Sequence, residues 1–294
     1  MRTFSRIAPV VVALATCFWS VGANAAVVYL DQFEIKRNGG TFFTDSFADG
    51  NAPPSAPNFP NGQPAAYNVF GTFVGGSEAG GLLRLNSADG GLTQNANGQD
   101  RLTLRAALNT NTDSSDLGTG LKIDDTLGLT GLFDLSSLTG PLINGYGIRF
   151  TDRSGSGVNQ AAELDVRFNP VTGKIEVRYI LQDFDTNQVS ELGLADFAPP
   201  NGADQILLQI ARPDTGFDGT NYTNTNFFAS YSYLQGGNVV GGGAFQTPIS
   251  LFQGENFVRA EFHAFESLPV PEPGTLALLG LGFAGMAAMR RRRR

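Results

Sequence analysis

The chain is poor in the residues that most enzymatic and disulfide-built proteins depend on. It has one cysteine (Cys17), one histidine (His263) and one tryptophan (Trp19). A lone cysteine closes no internal disulfide, so stability has to come from packing. A lone histidine excludes multi-histidine metal sites, and Ser-His or Cys-His nucleophile pairs have almost nothing to draw on. Charged residues are 16% of the chain, below the ~25% usual in soluble domains. Positive charge is scarcest in the middle. Residues 26–289 hold 13 Lys and Arg against 27 Asp and Glu, a net −14. Nucleic-acid binding requires a basic face, so that partner class is excluded.

What the chain does contain is glycine (37) and phenylalanine (23), with abundant Val, Thr, Ser and Asn. This composition suits strands joined by tight turns rather than helices.

The two ends differ from the rest. Residues 1–25 have the form of a secretory signal peptide: Arg2 and Arg6 supply a positive start, Ile7 to Val21 is mostly apolar, and Ala23-Asn24-Ala25 is an A-x-A exit. Cleavage between Ala25 and Ala26 is expected, through the secretion translocon and signal peptidase. A membrane anchor is the rival for this segment. A lipoprotein signal at Leu14-Ala15-Thr16-Cys17 is a poorer fit, because Thr precedes the Cys. Cleavage would leave a mature chain without Cys or Trp.

Residues 269–294 place three devices in series. Pro269-Val270-Pro271-Glu272-Pro273 cannot be helix or central strand and holds the chain extended. Gly274 to Met289 is 16 residues without a charge. As a helix it spans ~24 Å, less than a ~30 Å hydrocarbon core. Arg290, Arg291, Arg292, Arg293 and Arg294 then form a stop-transfer block on the cytoplasmic side.

Proline-glutamate-proline, a short apolar helix and a terminal arginine cluster together resemble the PEP-CTERM sorting domain, which some classifications name an ice-binding-protein C-terminal domain. That resemblance implies an exosortase, a membrane-embedded cysteine transpeptidase, which recognises Pro271, Glu272 and Pro273, removes the helix, and passes the protein to the surface or the exterior. It covers less than a tenth of the chain and implies no activity for the rest.

The body, residues 26–268, reads as all-β. Glu163 to Phe168 alternates with Leu164, Val166 and Phe168 on one face, and Lys174 to Tyr179 repeats the pattern with Ile175, Val177 and Tyr179. Asn169-Pro170-Val171-Thr172-Gly173 between them is turn chemistry, so the pair is expected to form a hairpin. Further strands are expected at Leu102–Leu104, Tyr146–Phe150, Ile206–Ile210, Phe227–Leu234 and Phe257–Glu266. Polar loops are expected at Pro53–Pro64, Asn109–Asp116 and Asp218–Asn226. Ten or so strands, each with one polar face, predict an antiparallel β-sandwich with wet outer faces. The layout also resembles concanavalin-like jelly rolls. The features that carry this likeness are Asp45-Ser46-Phe47, the Gly80-Gly81-Leu82-Leu83-Arg84-Leu85 strand, the Asn169–Gly173 hairpin and a final aromatic strand.

Candidate chemistry is sparse. Jelly-roll glycosidases carry Glu-x-Asp-x-(x)-Glu on one strand. Glu163-Leu164-Asp165 opens that pattern, but Arg167 and Phe168 occupy the closing places, so Glu163, Asp165 and Arg167 are expected on a solvated outer face. His263 is expected to be a structural surface residue. Asp183-x-Asp185-x-Asn187 opens like a calcium loop, yet Gln188 stands where Gly is needed and Leu194 where the closing acid belongs. Tyr222, Phe227, Phe228, Tyr231 and Tyr233, set among Asn and Thr, offer rings to a sugar, with alternation sending about half of them to the core. The sequence therefore predicts a non-enzymatic, exported surface or matrix protein without catalytic residues, cofactor or metal, and the resemblance to PEP-CTERM proteins implies sorting by an exosortase and association with exopolysaccharide. A carbohydrate-binding module and an unusual jelly-roll glycosidase are the alternatives.

Overall fold

A computed structural model describes residues 27–50, 65–70, 78–86, 100–106, 121–139, 143–152, 159–186, 188–197, 202–252 and 257–267. These residues contain strands and turns and no helix. The strands in chain order are β1 (Val27–Arg37), β2 (Gly40–Asp45), β3 (Ala65–Phe70), β4 (Glu78–Ala79), β5 (Leu82–Asn86), β6 (Asp100–Ala106), β7 (Leu121–Lys122), β8 (Leu127–Asp134) and β9 (Ile143–Asp152). They continue with β10 (Gln160–Asn169), β11 (Lys174–Asp183), β12 (Gln188–Phe197), β13 (Gln205–Arg212), β14 (Asn226–Gln235), β15 (Asn238–Ala244), β16 (Ile249–Ser250) and β17 (Phe257–Ser267).

The strands form two antiparallel sheets. The first runs β15-β14-β13-β8-β1-β5-β4, with β16 on β14 and β2 on β1. The second runs β12-β11-β10-β9-β17-β6-β3, with β7 on β17. The expected hairpin is β10–β11, in continuous register from Gln160↔Asp183 to Asn169↔Lys174. Its turn closes through Gly173 N–H donating to Asn169 C=O at 2.8 Å, with Gly173 at φ +69°, a conformation glycine adopts at little cost. The other expected body strands all lie within observed ones. The segments Pro53–Pro64 and Asn109–Asp116 lie outside the described residues.

Inward-facing side chains of both sheets make the core. Phe133 of β8 stacks on Tyr146 of β9 at 4.4 Å between centroids, Phe33 of β1 meets Phe262 of β17 at 4.6 Å, and Phe150 of β9 meets Phe227 of β14 at 5.2 Å. Each pair joins one sheet to the other, which identifies the layers as faces of one sandwich. The Tyr179 hydroxyl donates to Phe227 C=O at 2.7 Å, giving a buried polar group its partner.

Chain order matters at β17. This last strand pairs with β9 on one side and β6 on the other, so the centre of the second sheet is filled by the final described residues. Pairing of such sequence-distant strands is the slow, entropically costly step of β folding.

The outer faces of the two sheets differ. On the first sheet, Gln32, Glu34, Lys36 and Thr130 are partly or fully open, the wet face the alternation predicts. On the second sheet the outward residues of edge strand β12 are open, with Leu194 48% exposed, but outward residues of the inner strands β9, β10 and β17 are buried. Glu163 is 4% exposed, Asp165 0% and His263 0%. The expected solvated face for Glu163 and Asp165 and the expected surface histidine are both corrected by the structure. Alternation places these side chains outward correctly, but their neighbours supply opposite charges that pack them out of water.

Candidate functional site

The outward layer of β9, β10, β11 and β17 gathers the residues singled out by the sequence. Period two puts Arg149 and Thr151 of β9, Glu163 and Asp165 of β10, Arg178 and Gln182 of β11, and Glu261 and His263 of β17 on one side of the sheet. The register opposes Glu163 to Arg149, Arg149 to Glu261, Asp165 to Arg178, and both Asp165 and His263 to Gly147. Gly147 leaves a gap that its neighbours fill. A Cβ there would stand 2.7 Å from Leu164 O and 2.9 Å from Asp165 Cβ.

Arg149 is the hub. Its Nε donates to Glu261 Oε2 at 2.6 Å, and its Nη1 donates to Glu163 Oε2 and Gln182 Oε1, each at 3.2 Å. The guanidinium lies over the Phe184 ring at 5.4 Å. Thr151 Oγ1 donates to the same Glu261 oxygen at 3.3 Å. Arg178 holds Asp165 with both arms, Nε to Oδ1 at 2.9 Å and Nη2 to Oδ2 at 2.5 Å, the fork geometry that suits a carboxylate. Arg167 pairs with Glu176 at 2.5 Å, and Asn169 Nδ2 donates to Glu176 Oε1 at 2.8 Å.

His263 Nε2 stands 3.2 Å from Glu163 Oε1. Neither imidazole nitrogen makes an aligned hydrogen bond, so this contact is electrostatic rather than directional. The ring stacks on Phe265 at 5.9 Å.

Burial pushes the Glu163 carboxyl up, but His263 and then Arg149 outweigh it and hold it at about 2. For Asp165, burial prevails over the pull of Arg178 and raises the carboxyl. A general acid for glycoside cleavage needs a carboxyl raised toward neutrality and free to face substrate. Glu163 has the opposite shift and both its oxygens are engaged. What this layer does chemically is hold four strands together with ion pairs whose partners cannot be removed singly without leaving a buried charge.

The remaining sequence candidates are distributed elsewhere. Asp183 Oδ1 accepts from Asp185 N and Thr186 N at 2.9 and 3.1 Å, and Asp185 accepts from Asn159 N and Nδ2 at 2.9 and 2.6 Å. Both carboxylates thus shape the β11–β12 turn. No group of three or more His, Cys, Asp or Glu among the described residues is arranged to hold a metal. Of the five rings, Phe227 and Tyr233 are core, Tyr231 is half-buried, Phe228 is exposed on β14, and Tyr222 lies in the β13–β14 loop.

Arg149, Arg178 and Glu261 were not singled out by the sequence. The usable signal was charge at the same period-two spacing: Lys174-x-Glu176-x-Arg178 and Arg259-x-Glu261-x-His263 carry it as plainly as Glu163-x-Asp165, whereas Arg149 stands alone after Gly145 and Gly147. A second organised region was also missed. Arg212, fully buried at the end of β13, donates to Asn224 C=O at 2.8 and 2.5 Å, to Ile123 C=O at 2.6 Å and to Asp125 C=O at 3.0 Å, and covers Phe252 at 4.9 Å. Asp125 in turn accepts from Arg37 Nε, Asn38 Nδ2 and Lys122 N at 2.7, 2.8 and 2.9 Å. Three loops at one end of the first sheet are knitted together this way.

Ala25, Ala26, Pro271, Glu272, Pro273 and Arg290 to Arg294 lie outside the described residues. No helix among the described residues is long and apolar enough to cross a membrane. Residues 269–294 match the family model of the PEP-CTERM protein-sorting motif. No curated protein and no solved structure matches the chain. The motif marks an exported protein with an exosortase as its sorting partner, anchored in the membrane for a time before it reaches the cell surface.

Proposed function

We propose that this protein is a non-enzymatic component of the cell surface or extracellular matrix. Its β-sandwich body is exported by a signal peptide cleaved between Ala25 and Ala26, and it associates there with exopolysaccharide. Its tail is a transient anchor. The exosortase engages Pro271-Glu272-Pro273 in the extended stretch outside the membrane, and Arg290 to Arg294 hold the far end inside until cleavage. The observation that carries this reading is the match of residues 269–294 to the sorting motif, which contains all three devices in order.

The buried layer supports the non-enzymatic part. Glu163 is clamped by Arg149 and His263 and held near 2, so at neutral pH it has no proton to give. The acidic body, net −14 over residues 26–289, suits a solvated surface component rather than a nucleic-acid or anionic-lipid partner.

Mass spectrometry of the surface and secreted fractions of the native host tests the sorting. Peptides should begin at Ala26 and none should contain Leu276 to Met289. Replacing Pro271, Glu272 and Pro273 with Ala should give a full-length, membrane-retained form. Persistence of the tail in wild-type surface protein would make it an ordinary anchor. Reducing-sugar release from β-glucan that is abolished by Glu163→Gln would establish the glycosidase instead.

A further inference from the structure

We infer that the β13–β14 loop is a neutral-glycan contact built around Phe217 and Tyr222. This deepens the exopolysaccharide part of the proposed function, on which it rests, and is independent of the sorting part.

Phe217 is 56% exposed, a large apolar ring in open water. It is held there by structure. Phe217 and Tyr222 form a β-bridge, their rings 4.9 Å apart at 31°. The two rings are in contact, and more than half of the Phe217 surface stays open to solvent. Asp214 Oδ1 accepts from Gly216 N at 2.9 Å, and Asp218 Oδ1 accepts from Thr220 N and Asn221 N at 2.8 and 2.7 Å. Asn224 N donates to Thr215 C=O at 3.1 Å, and Thr223 Oγ1 donates to Gly216 C=O at 2.8 Å. Below them, Arg212 fixes Asn224 from the protein interior. A ring presented on so rigid a loop loses little conformational freedom on binding, which makes it an economical anchor.

The surroundings select the ligand. Residues 213–225 contain no Lys or Arg and two carboxylates, Asp214 and Asp218, so an anionic polymer is repelled. A protein partner of ordinary size covers ~800 Å² with several apolar anchors. Here one open ring stands among Asn, Thr and Asp side chains. A pyranose has that complementary form: an apolar C–H face to lie on the ring and a rim of hydroxyls for amide and carboxylate acceptors. The loop's own hydrogen bonds engage only the Oδ1 atoms of Asp214 and Asp218.

Affinity electrophoresis of the full chain, kept soluble in a polyoxyethylene detergent, tests this in gels containing laminarin, hydroxyethylcellulose or galactomannan, with alginate as the anionic contrast. At least one neutral polymer should retard the wild type, and alginate should not. Phe217→Ala should weaken that retardation about tenfold, and Phe217→Tyr should keep it. Phe217→Leu, apolar but without a ring face, decides the matter should the alanine variant fail to fold. Retardation of the wild type with no loss in Phe217→Ala or Phe217→Leu removes this site while glycan association stands. No retardation of the wild type by any neutral polymer removes both. A shift from dimer to monomer in Phe217→Ala by sedimentation velocity would assign the ring to self-association and overturn the proposal.

Discussion

His263 of β17 and Glu163 of β10 meet at 3.2 Å diagonally across the intervening strand β9, where His263 stands opposite Gly147 and Glu163 opposite Arg149. Both strands flank β9, so their backbones are two strand spacings apart, ~9.6 Å. Around the pair, Arg149 binds Glu163 and Glu261 together, and the ionic layer closes.

The acid stability of the protein should depend on Glu163. Its carboxyl is held at about 2 in the folded chain, against ~4.3 when unfolded. A depressed carboxylate contributes stability that is complete above the unfolded value and disappears as pH falls from about 4 toward 2. Glu163→Gln should lower stability by roughly 3 kcal/mol at pH 7, because Arg149 loses a buried counter-charge. The gap between variant and wild type should narrow on acidification. Urea unfolding at pH 7 and pH 3 measures both.

Gly147→Ala should destabilise although alanine has no disfavoured backbone conformation there. The added methyl group meets Leu164 O at 2.7 Å and Asp165 Cα and Cβ at 3.0 and 2.9 Å, backbone and near-backbone atoms that cannot swing away. Overpacking of this kind costs about 1–3 kcal/mol. A drop in thermal midpoint of several degrees, with the far-UV spectrum unchanged, is expected from circular dichroism.

Arg212→Lys should loosen the loop end of the first sheet. Lysine keeps the charge but cannot fork onto Asn224, Ile123 and Asp125 carbonyls together. Buried carbonyls left without donors cost about 1–3 kcal/mol each. Hydrogen exchange should quicken at residues 121–126 and 213–225 while β9 and β10 keep their protection.

Truncation should separate two parts of the C-terminus that adjoin in sequence. Removing residues 268–294 leaves every described strand in place and should give a folded body. Removing residues 257–294 also deletes β17, which separates β9 from β6 in the second sheet, and strips Val258, Ala260, Phe262 and Ala264 from the core. Circular dichroism and limited proteolysis should find the first truncation strand-rich and resistant and the second unfolded.

Much of this protein was legible in its sequence because the signals are local. Alternation at Glu163–Phe168 and Lys174–Tyr179, with Asn169 to Gly173 between, specifies a hairpin through neighbouring residues alone, and the structure has it in that register. The sorting motif is likewise contiguous, and its order of proline, apolar stretch and arginine can be read without a fold. The composition, rich in Gly, Phe, Val and Thr, pointed to an all-β body on the same grounds.

What the sequence could not give is which outward face stays wet. Alternation assigns Glu163, Asp165 and His263 to the outer side of their strands and says nothing about what lies one and two strands away. Arg149 is 14 residues from Glu163, a gap closed by the β9–β10 pairing, and 112 from Glu261, a gap closed only when β17 enters beside β9. The same holds for Arg212, whose carbonyl partners Ile123 and Asp125 lie 89 and 87 residues distant, and for the choice of Phe217 rather than Phe227 as the exposed ring. Strand identity follows from the pattern of adjacent side chains. Burial of charge follows from strand order, because a carboxylate leaves water only where the fold brings a counter-charge to it.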